Sequence, residues 1–183
     1  MAGRDKSGKF KIKGNTYYEK DGYIVGITSK GEEFYIDKED YESVSKHAWY
    51  IENNGYVRAC IKDKNVQLHR FILNTEPTRD IDHRDHNQRN CRRENLRICS
   101  TSQNMMNMCK TSKKTSSKYK GVSYKTSEKR IKRWGAAVRC KGKLFSLGYH
   151  STEEEAAIAY NKKAQEVFGE FAYLNVIGGD SYR

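Results

Sequence analysis

The sequence predicts an α+β protein assembled from small modules, and three observations carry that reading. Only 36 % of the 183 residues are hydrophobic, and small modules bury less of their surface and need less core. Short alternating apolar and polar runs, divided by Gly and Asn turns, recur through the first 66 residues and again after residue 119. One amphipathic helical stripe stands near the end of the chain. No apolar run approaches the roughly 18–20 residues that cross a bilayer, so no membrane partner is expected. The first residues, MAGRDKSGKF, hold no apolar stretch of the secretory type. The five cysteines are scattered and form no Cys-x-x-Cys, which reads as reduced thiols in a cytoplasmic setting.

Residues 1–66 read as a β-rich N-terminal module. Its first ten residues are polar and are expected to fray. Tyr23–Ile27 and Glu33–Ile36 flank a Ser-Lys-Gly turn and predict a hairpin. Tyr41 and Val44 at helical spacing predict a short helix within 37–46, started by an Asp cap. Trp49–Ile51 and Tyr56–Ile61 flank Asn53-Asn54-Gly55, a second hairpin signal. Val66–His69 reads as one more strand.

Residues 67–109 read as a central core. A short apolar strand ends at the adjacent pair Asp82-His83, and Asn95–Ile98 reads as the returning strand. Ser100 with Gln103 forms a capping box that opens a helix containing Asn104. Residues 110–118 contain no apolar side chain and read as a basic linker. Strand patterns follow over 119–125, 134–140 and 143–147. Thr152 with Glu155 caps a helix whose stripe is Ala156, Tyr160, Ala164 and Val167, and Gly169 stands at its C-terminal stop. Residues 176–183 are a tail.

Charge narrows the class of partner. The chain carries 35 Lys+Arg against 23 Asp+Glu, a net +12. Residues 111–143 hold 12 of the basic residues and a single acid, Glu128. Such an excess, interleaved with Tyr119, Tyr124, Trp134 and Phe145, suits a polyanion, and nucleic acid is the commonest one.

The residue types of the central segment suit metal-assisted phosphodiester hydrolysis. A carboxylate and an amide oxygen are hard ligands, suited to Mg²⁺ or Mn²⁺. An imidazole can take a proton from water at neutral pH. Arg84, Arg92, Arg93 and Arg97, with Arg89, could grip the scissile strand, because guanidinium forks match phosphate geometry. A zinc site drawn from His83, His86, Cys91, Cys99 or Cys109 would need tight Cys or His pairs that the chain lacks.

The segment Leu68-His69-Arg70, Asp82-His83, Asn90, Glu94-Asn95-Leu96 and Asn104 resembles the HNH endonuclease family, in the branch of phage and intron homing endonucleases. The resemblance covers about 67–107. It implies a ββα-metal fold, with His83 as general base, Asp82 and Asn104 as ligands of one divalent ion, and Asn95 bracing the loop between the strands. His69 is a candidate supporting residue, from the preceding strand. In this chain the usual Asn-Asn pair is Asn90-Cys91, a loop position often held by Gly is His86, and Met108 stands where some members have a second helical His. Two protein ligands are therefore expected.

Residues 119–175 resemble the AP2 DNA-binding domain through Tyr119-Lys120-Gly121-Val122, Trp134–Val138, Leu147–Thr152, Glu154–Asn161 and Leu174-Asn175. The resemblance implies a three-stranded antiparallel sheet laid in the major groove, with one helix behind it. By position it puts Lys120, Ser123, Lys125 and Arg139 on the DNA face, with Lys141 and Lys143 near the last turn. Leu144 and Ser146 stand where plant domains often carry Arg and Trp, and Trp134 is expected in the core. Together the two resemblances imply a site-directed, metal-dependent DNA endonuclease of the homing type in a phage or bacterial host. It would act on double-stranded DNA, use no small-molecule cofactor, and nick one strand per monomer unless it dimerises. The alternative is a DNA-binding regulator with an inactive HNH core.

Overall fold

A computed structural model describes residues 10–12, 14–109, 115–126, 131 and 133–178. The expected frayed arm and most of the expected linker lie outside them. The described chain divides into two units, at Thr101/Ser102.

The first unit opens with a four-stranded antiparallel sheet in the order β1 (Phe10–Ile12), β2 (Asn15–Lys20), β3 (Tyr23–Ile27), β4 (Glu33–Asp37). The β3–β4 hairpin is the expected one. The β2 strand adds a hairpin closed at Asp21-Gly22, where both residues take positive φ. A single 3₁₀ turn over Lys38–Asp40 leads into α1 (Tyr41–Val44), shorter than the helix expected over 37–46. Asp37 does not cap it. Its carboxylate instead accepts the backbone N–H of Arg93 at 2.7 Å.

A second sheet follows: β5 (Tyr50–Ile51), β6 (Val57–Ile61) and β7 (Lys64–Gln67). The expected strand Val66–His69 is corrected here, because α2 (Leu68–Leu73) begins at Leu68. Leu68, His69 and Ile72 are its buried residues, a helical spacing too short to stand out in the sequence. Asn74 ends the helix in the left-handed region. Asn15 joins the two sheets. Its amide accepts from Trp49 N–H at 2.7 Å and donates to Trp49 O at 2.9 Å.

The last pair of the unit is β8 (Asp80–His83) with β9 (Leu96–Cys99). One apolar cluster takes in Tyr17, Phe34 and Ile36 from the first sheet, Val57 and Ala59 from the second, Leu68 and Ile72 from α2, and Ile81, Cys91 and Leu96 from the β8–β9 region. Backbone pairing adds to it. Tyr35 of β4 donates to Arg89 O and accepts from Cys91 N–H, both at 2.9 Å.

The second unit begins within α3 (Thr101–Asn107). The division thus falls ahead of the expected end of the core at 109. The Lys120 ammonium donates to Met106 O at 2.8 Å and Met108 O at 2.6 Å, satisfying carbonyls at the end of α3. Strands β10 (Val122–Tyr124), β11 (Trp134–Cys140) and β12 (Lys143–His150) form an antiparallel sheet in that order. Behind it packs α4 (Glu153–Phe168), with Thr152 Oγ1 accepting Glu155 N–H at 3.1 Å as the cap. The buried layer is Val122, Ala136 and Val138 against Ala156, Ala157, Tyr160 and Ala164. Gly121 (φ +74°) lies against this helix, and a Cβ there would overlap the Tyr160 ring. This three-stranded sheet on one helix is the arrangement expected of the C-terminal module.

Candidate active site

Alternation along β8 turns Ile81 and His83 to one face and Asp82 to the other. Both Asp82 and His83 are buried. Directly across the ladder from Asp82 stands Arg97. Its Nε and Nη2 both donate to Asp82 Oδ2, at 2.7 and 2.6 Å, with each side chain only 7 % exposed. Arg97 was expected on the DNA strand, and the structure instead spends it on this carboxylate. Removing a buried partner would leave the other charge uncompensated.

The loop between β8 and β9 is held by a polar network. The Asn95 carboxamide donates to Asp85 Oδ1 at 2.9 Å and to Asn90 O at 2.8 Å, and accepts from Asp85 N–H at 3.0 Å. Asn90 donates to Asp85 Oδ2 at 2.7 Å. Asn95 is buried, so these bonds are what make its amide tolerable there. Its side chain thereby spans the loop. His86, at the position often held by Gly, has φ +61°, the left-handed backbone that favours glycine.

The other loop arginines divide. Arg93 places Nε and Nη2 on the two oxygens of Asp40, at 3.1 and 2.7 Å, and pairs with Glu39 at 2.6 Å. Arg92 pairs with Glu94 at 2.8 Å and lies 4.9 Å from the Tyr23 ring centroid. Arg84 is exposed. Of the arginines expected to grip the scissile strand, Arg93 in the loop and Arg97 on β9 serve carboxylates.

His83 stands among aromatic rings. His69 lies 5.1 Å away between centroids at 88°, and Tyr56 lies 6.0 Å away at 63°. Tyr56 and His69 are 5.4 Å apart. Burial pulls the His83 imidazole below its ordinary pKa, against the opposing pull of Asp85 and Asp82. Burial takes His69 further down, to about 3. His69 sits on α2, not on a strand. Sequence reasoning missed Tyr56; the Asn53-Asn54-Gly55 turn located its hairpin but gave no hint of which ring faced His83.

Asn104 lies half-buried on α3, in the second unit. Among the described residues no group of three or more His, Cys, Asp and Glu could hold a metal. An aspartate with an asparagine amide is the alternative donor set, and it is an all-oxygen set of the kind hard cations take. The Oδ2 of Asp82 is the oxygen that Arg97 occupies.

The DNA-face residues expected of the C-terminal sheet also divide. Ser123, Gly135, Ala137 and Arg139 follow the alternation opposite to the buried Val122, Ala136 and Val138. Lys125, Arg139, Lys141 and Lys143 are exposed. Lys120 differs from expectation, since its ammonium is bound to the α3 carbonyls. Trp134 is half-buried, packs on the buried cluster, and meets the Tyr124 ring at 4.9 Å.

The HNH endonuclease family pattern matches residues 76–106. No solved structure matches the chain. An uncharacterised HNH endonuclease of Acanthamoeba polyphaga mimivirus is 39 % identical over 154 residues, covering 81 % of this chain and 77 % of that protein. That relative comes from a mimivirus, so the phage or bacterial setting expected from the sequence gains nothing from it. Among the described residues no helix is long and apolar enough to cross a membrane. The match over β8, the loop, β9 and α3, with a relative so alike along most of both chains, makes this chain a member of the HNH endonuclease family.

Proposed function

We propose that the protein is a site-directed DNA endonuclease of the homing type, in which the first unit carries the base and the C-terminal sheet reads the target. The observation that carries the reading is the end of β8, where a buried imidazole follows a buried, ion-paired carboxylate beside the Asn95-braced loop. His83 takes the proton of the attacking water; its depressed pKa keeps the ring neutral and able to accept. Asn95 fixes the loop that follows His83. Asp82 and, by the family resemblance, Asn104 would hold one Mg²⁺ or Mn²⁺. When bound, that ion supplies charge stabilisation for the phosphate and its leaving oxygen. Arg97 orients Asp82 through its two contacts to Oδ2. By the expected role, Arg84, exposed at the start of the loop, and Arg92, once released from Glu94, would contact the scissile strand.

The AP2-like role of the sheet rests on its outer face. Ser123, Gly135, Ala137 and Ser146 are small and share that face with Arg139, Leu144 and Tyr149, while exposed Lys125, Lys141 and Lys143 stand at its margin, Lys143 turned toward the Phe145 side. A flat ribbon with a cationic margin suits the major groove. With one HNH core per chain, a monomer nicks a single strand.

The test is nicking of a supercoiled plasmid that carries the DNA flanking the protein's own gene. The expected result is open circles with Mg²⁺ or Mn²⁺, none with EDTA, and none from His83→Ala or Asn104→Ala. Cleavage that survives in His83→Ala would refute the assignment of the base. A gel shift without cleavage at any metal concentration would favour the regulator instead.

A further inference from the structure

We infer that Tyr56 and His69 are positioning residues that fix the plane of the His83 imidazole, an inference that rests on His83 being the base. The three rings form a closed triangle, with centroids 5.1, 5.4 and 6.0 Å apart. Each comes from a different element. Tyr56 leaves the Asn53-Asn54-Gly55 turn ahead of β6, His69 is the second residue of α2, and His83 ends β8.

The side chain of a histidine turns easily about its outer torsion, which has broad, roughly two-fold minima. His83 ends its strand, and a loop follows it at once, so the backbone alone does little to choose the plane. Edge-to-face packing on two sides does choose it, since tilting the ring drives its edge into a neighbour. Both walls are themselves held. The turn is fixed by Tyr56 N–H on Asn54 Oδ1 at 3.2 Å and Gly55 N–H on Glu52 O at 2.8 Å. His69 is flanked in α2 by buried Leu68 and Ile72.

Core packing does not account for an imidazole at position 69. The residue is 3 % exposed, and its Nδ1 is buried without a hydrogen bond among the described residues. A leucine would avoid the cost of that unpartnered atom, but a leucine has no flat face to set against His83. Tyr56 is half-buried and reaches the same ring from the second sheet. The N-terminal strands thereby contribute a wall of the active site as well as a share of the core.

The experiment compares nicking by the full chain with His69→Leu, His69→Phe, Tyr56→Ala and Tyr56→Phe. His69→Leu and Tyr56→Ala should lower the maximal rate about tenfold or more, with the half-saturating DNA concentration changed less than about twofold. His69→Leu should melt no lower than wild type. The flat-ring variants His69→Phe and Tyr56→Phe should recover to within about threefold of wild type. A wild-type rate in both His69→Leu and Tyr56→Ala overturns the inference, and so does an equal loss in His69→Phe and His69→Leu. If wild type nicks no DNA, the nuclease reading fails and the positioning claim is decided by NMR. The His83 ring-proton shifts should then move in His69→Leu while those of His150 stay in place; unmoved His83 shifts refute it.

Discussion

The β8–β9 loop and the outer face of the C-terminal sheet are both rich in cations, yet they use them in opposite ways. In the loop Arg93 is forked onto Asp40, and beside it on β9 Arg97 is buried on Asp82. On the sheet, Lys125, Arg139, Lys141 and Lys143 stand exposed. Local acid content accounts for the difference. Residues 111–143 contain one acid, so few counter-charges lie nearby in sequence. The arginines of the loop and β9 meet Asp82 and Glu94 nearby and Glu39 and Asp40 from the other end of the unit. An arginine near an active-site motif is thus weak evidence for a phosphate contact until its carboxylates are found. A basic stretch without acids is stronger evidence.

The largest effect should come from breaking the structural use of a cation. Arg97→Met takes the guanidinium away from buried Asp82 and should cost about 3–5 kcal/mol. Urea unfolding followed by Trp49 fluorescence would measure it in the first unit. Asp82→Asn in the Arg97→Met background should restore much of that loss, because the uncompensated charge is gone. A loss below about 1 kcal/mol in the single variant would place Arg97 with the cations of the sheet, available to DNA.

Next in size is Asn95→Ala. It deletes three hydrogen bonds of a buried amide and takes the Asn95 partner away from Asp85 N–H and Asn90 O. The expected cost is about 1–3 kcal/mol, with the maximal nicking rate falling and DNA affinity nearly unchanged. A variant that loses affinity instead would make the loop a binding surface like the sheet.

How far the sequence reached follows the same division. The β3–β4 hairpin, the β8 and β9 strands, the C-terminal sheet and the capped α4 all carried local signals, namely turns, alternation and a capping box. The α2 helix did not, because six residues give too little periodicity to separate from a strand. The β2 strand was overlooked although Asp21-Gly22 marks its turn. The pairing of Arg93 with Asp40, 53 residues apart, is a tertiary fact without any local signature. So is the ring triangle: each of Tyr56, His69 and His83 was readable as a residue, but their meeting depends on how α2 and the second sheet pack. The bonds of Asn95 to Asp85 and Asn90 O fall within the one loop, so they lie closer to what a local reading can reach.

The buried rings of the first unit should also leave a pH signature that the exposed sheet lacks. His69 has its pKa lowered to about 3 in the folded chain, by burial first and then by His83, Arg70 and Arg58. Unfolded, it returns to about 6.5. Between those values the unfolded state binds the extra proton, so stability rises with pH and falls on acidification through that window. The slope from this one group should be about 1.4 kcal/mol per pH unit at most, and His69→Leu should flatten the profile by that amount. An unchanged profile would mean that His69 gains solvent or a partner when protonated.

The smallest stability effects belong to the sheet, where the readout is salt rather than unfolding. Arg139→Ala and Lys143→Ala remove exposed charges, so each should change stability by less than about 0.5 kcal/mol. Their loss should appear in binding. A cation that neutralises one phosphate contributes about 0.9 to the slope of log K against log salt on duplex DNA. Each variant should therefore lower that slope by about one and the double variant by about two, with the nicking rate at saturating protein held near wild type. Arg139 also donates to Gly142 O at 3.3 Å across the β11–β12 turn, a long exposed bond that costs little to release. Lys143 lies over the Phe145 ring at 5.3 Å, and an exposed cation–π contact is worth only about 0.5–1 kcal/mol. Neither contact is strong enough to hold its charge back from a phosphate, unlike the forked arginines of the loop. If the slope stays unchanged in the double variant, these cations do not meet DNA, and the contrast between a self-neutralised loop and a DNA-facing sheet collapses.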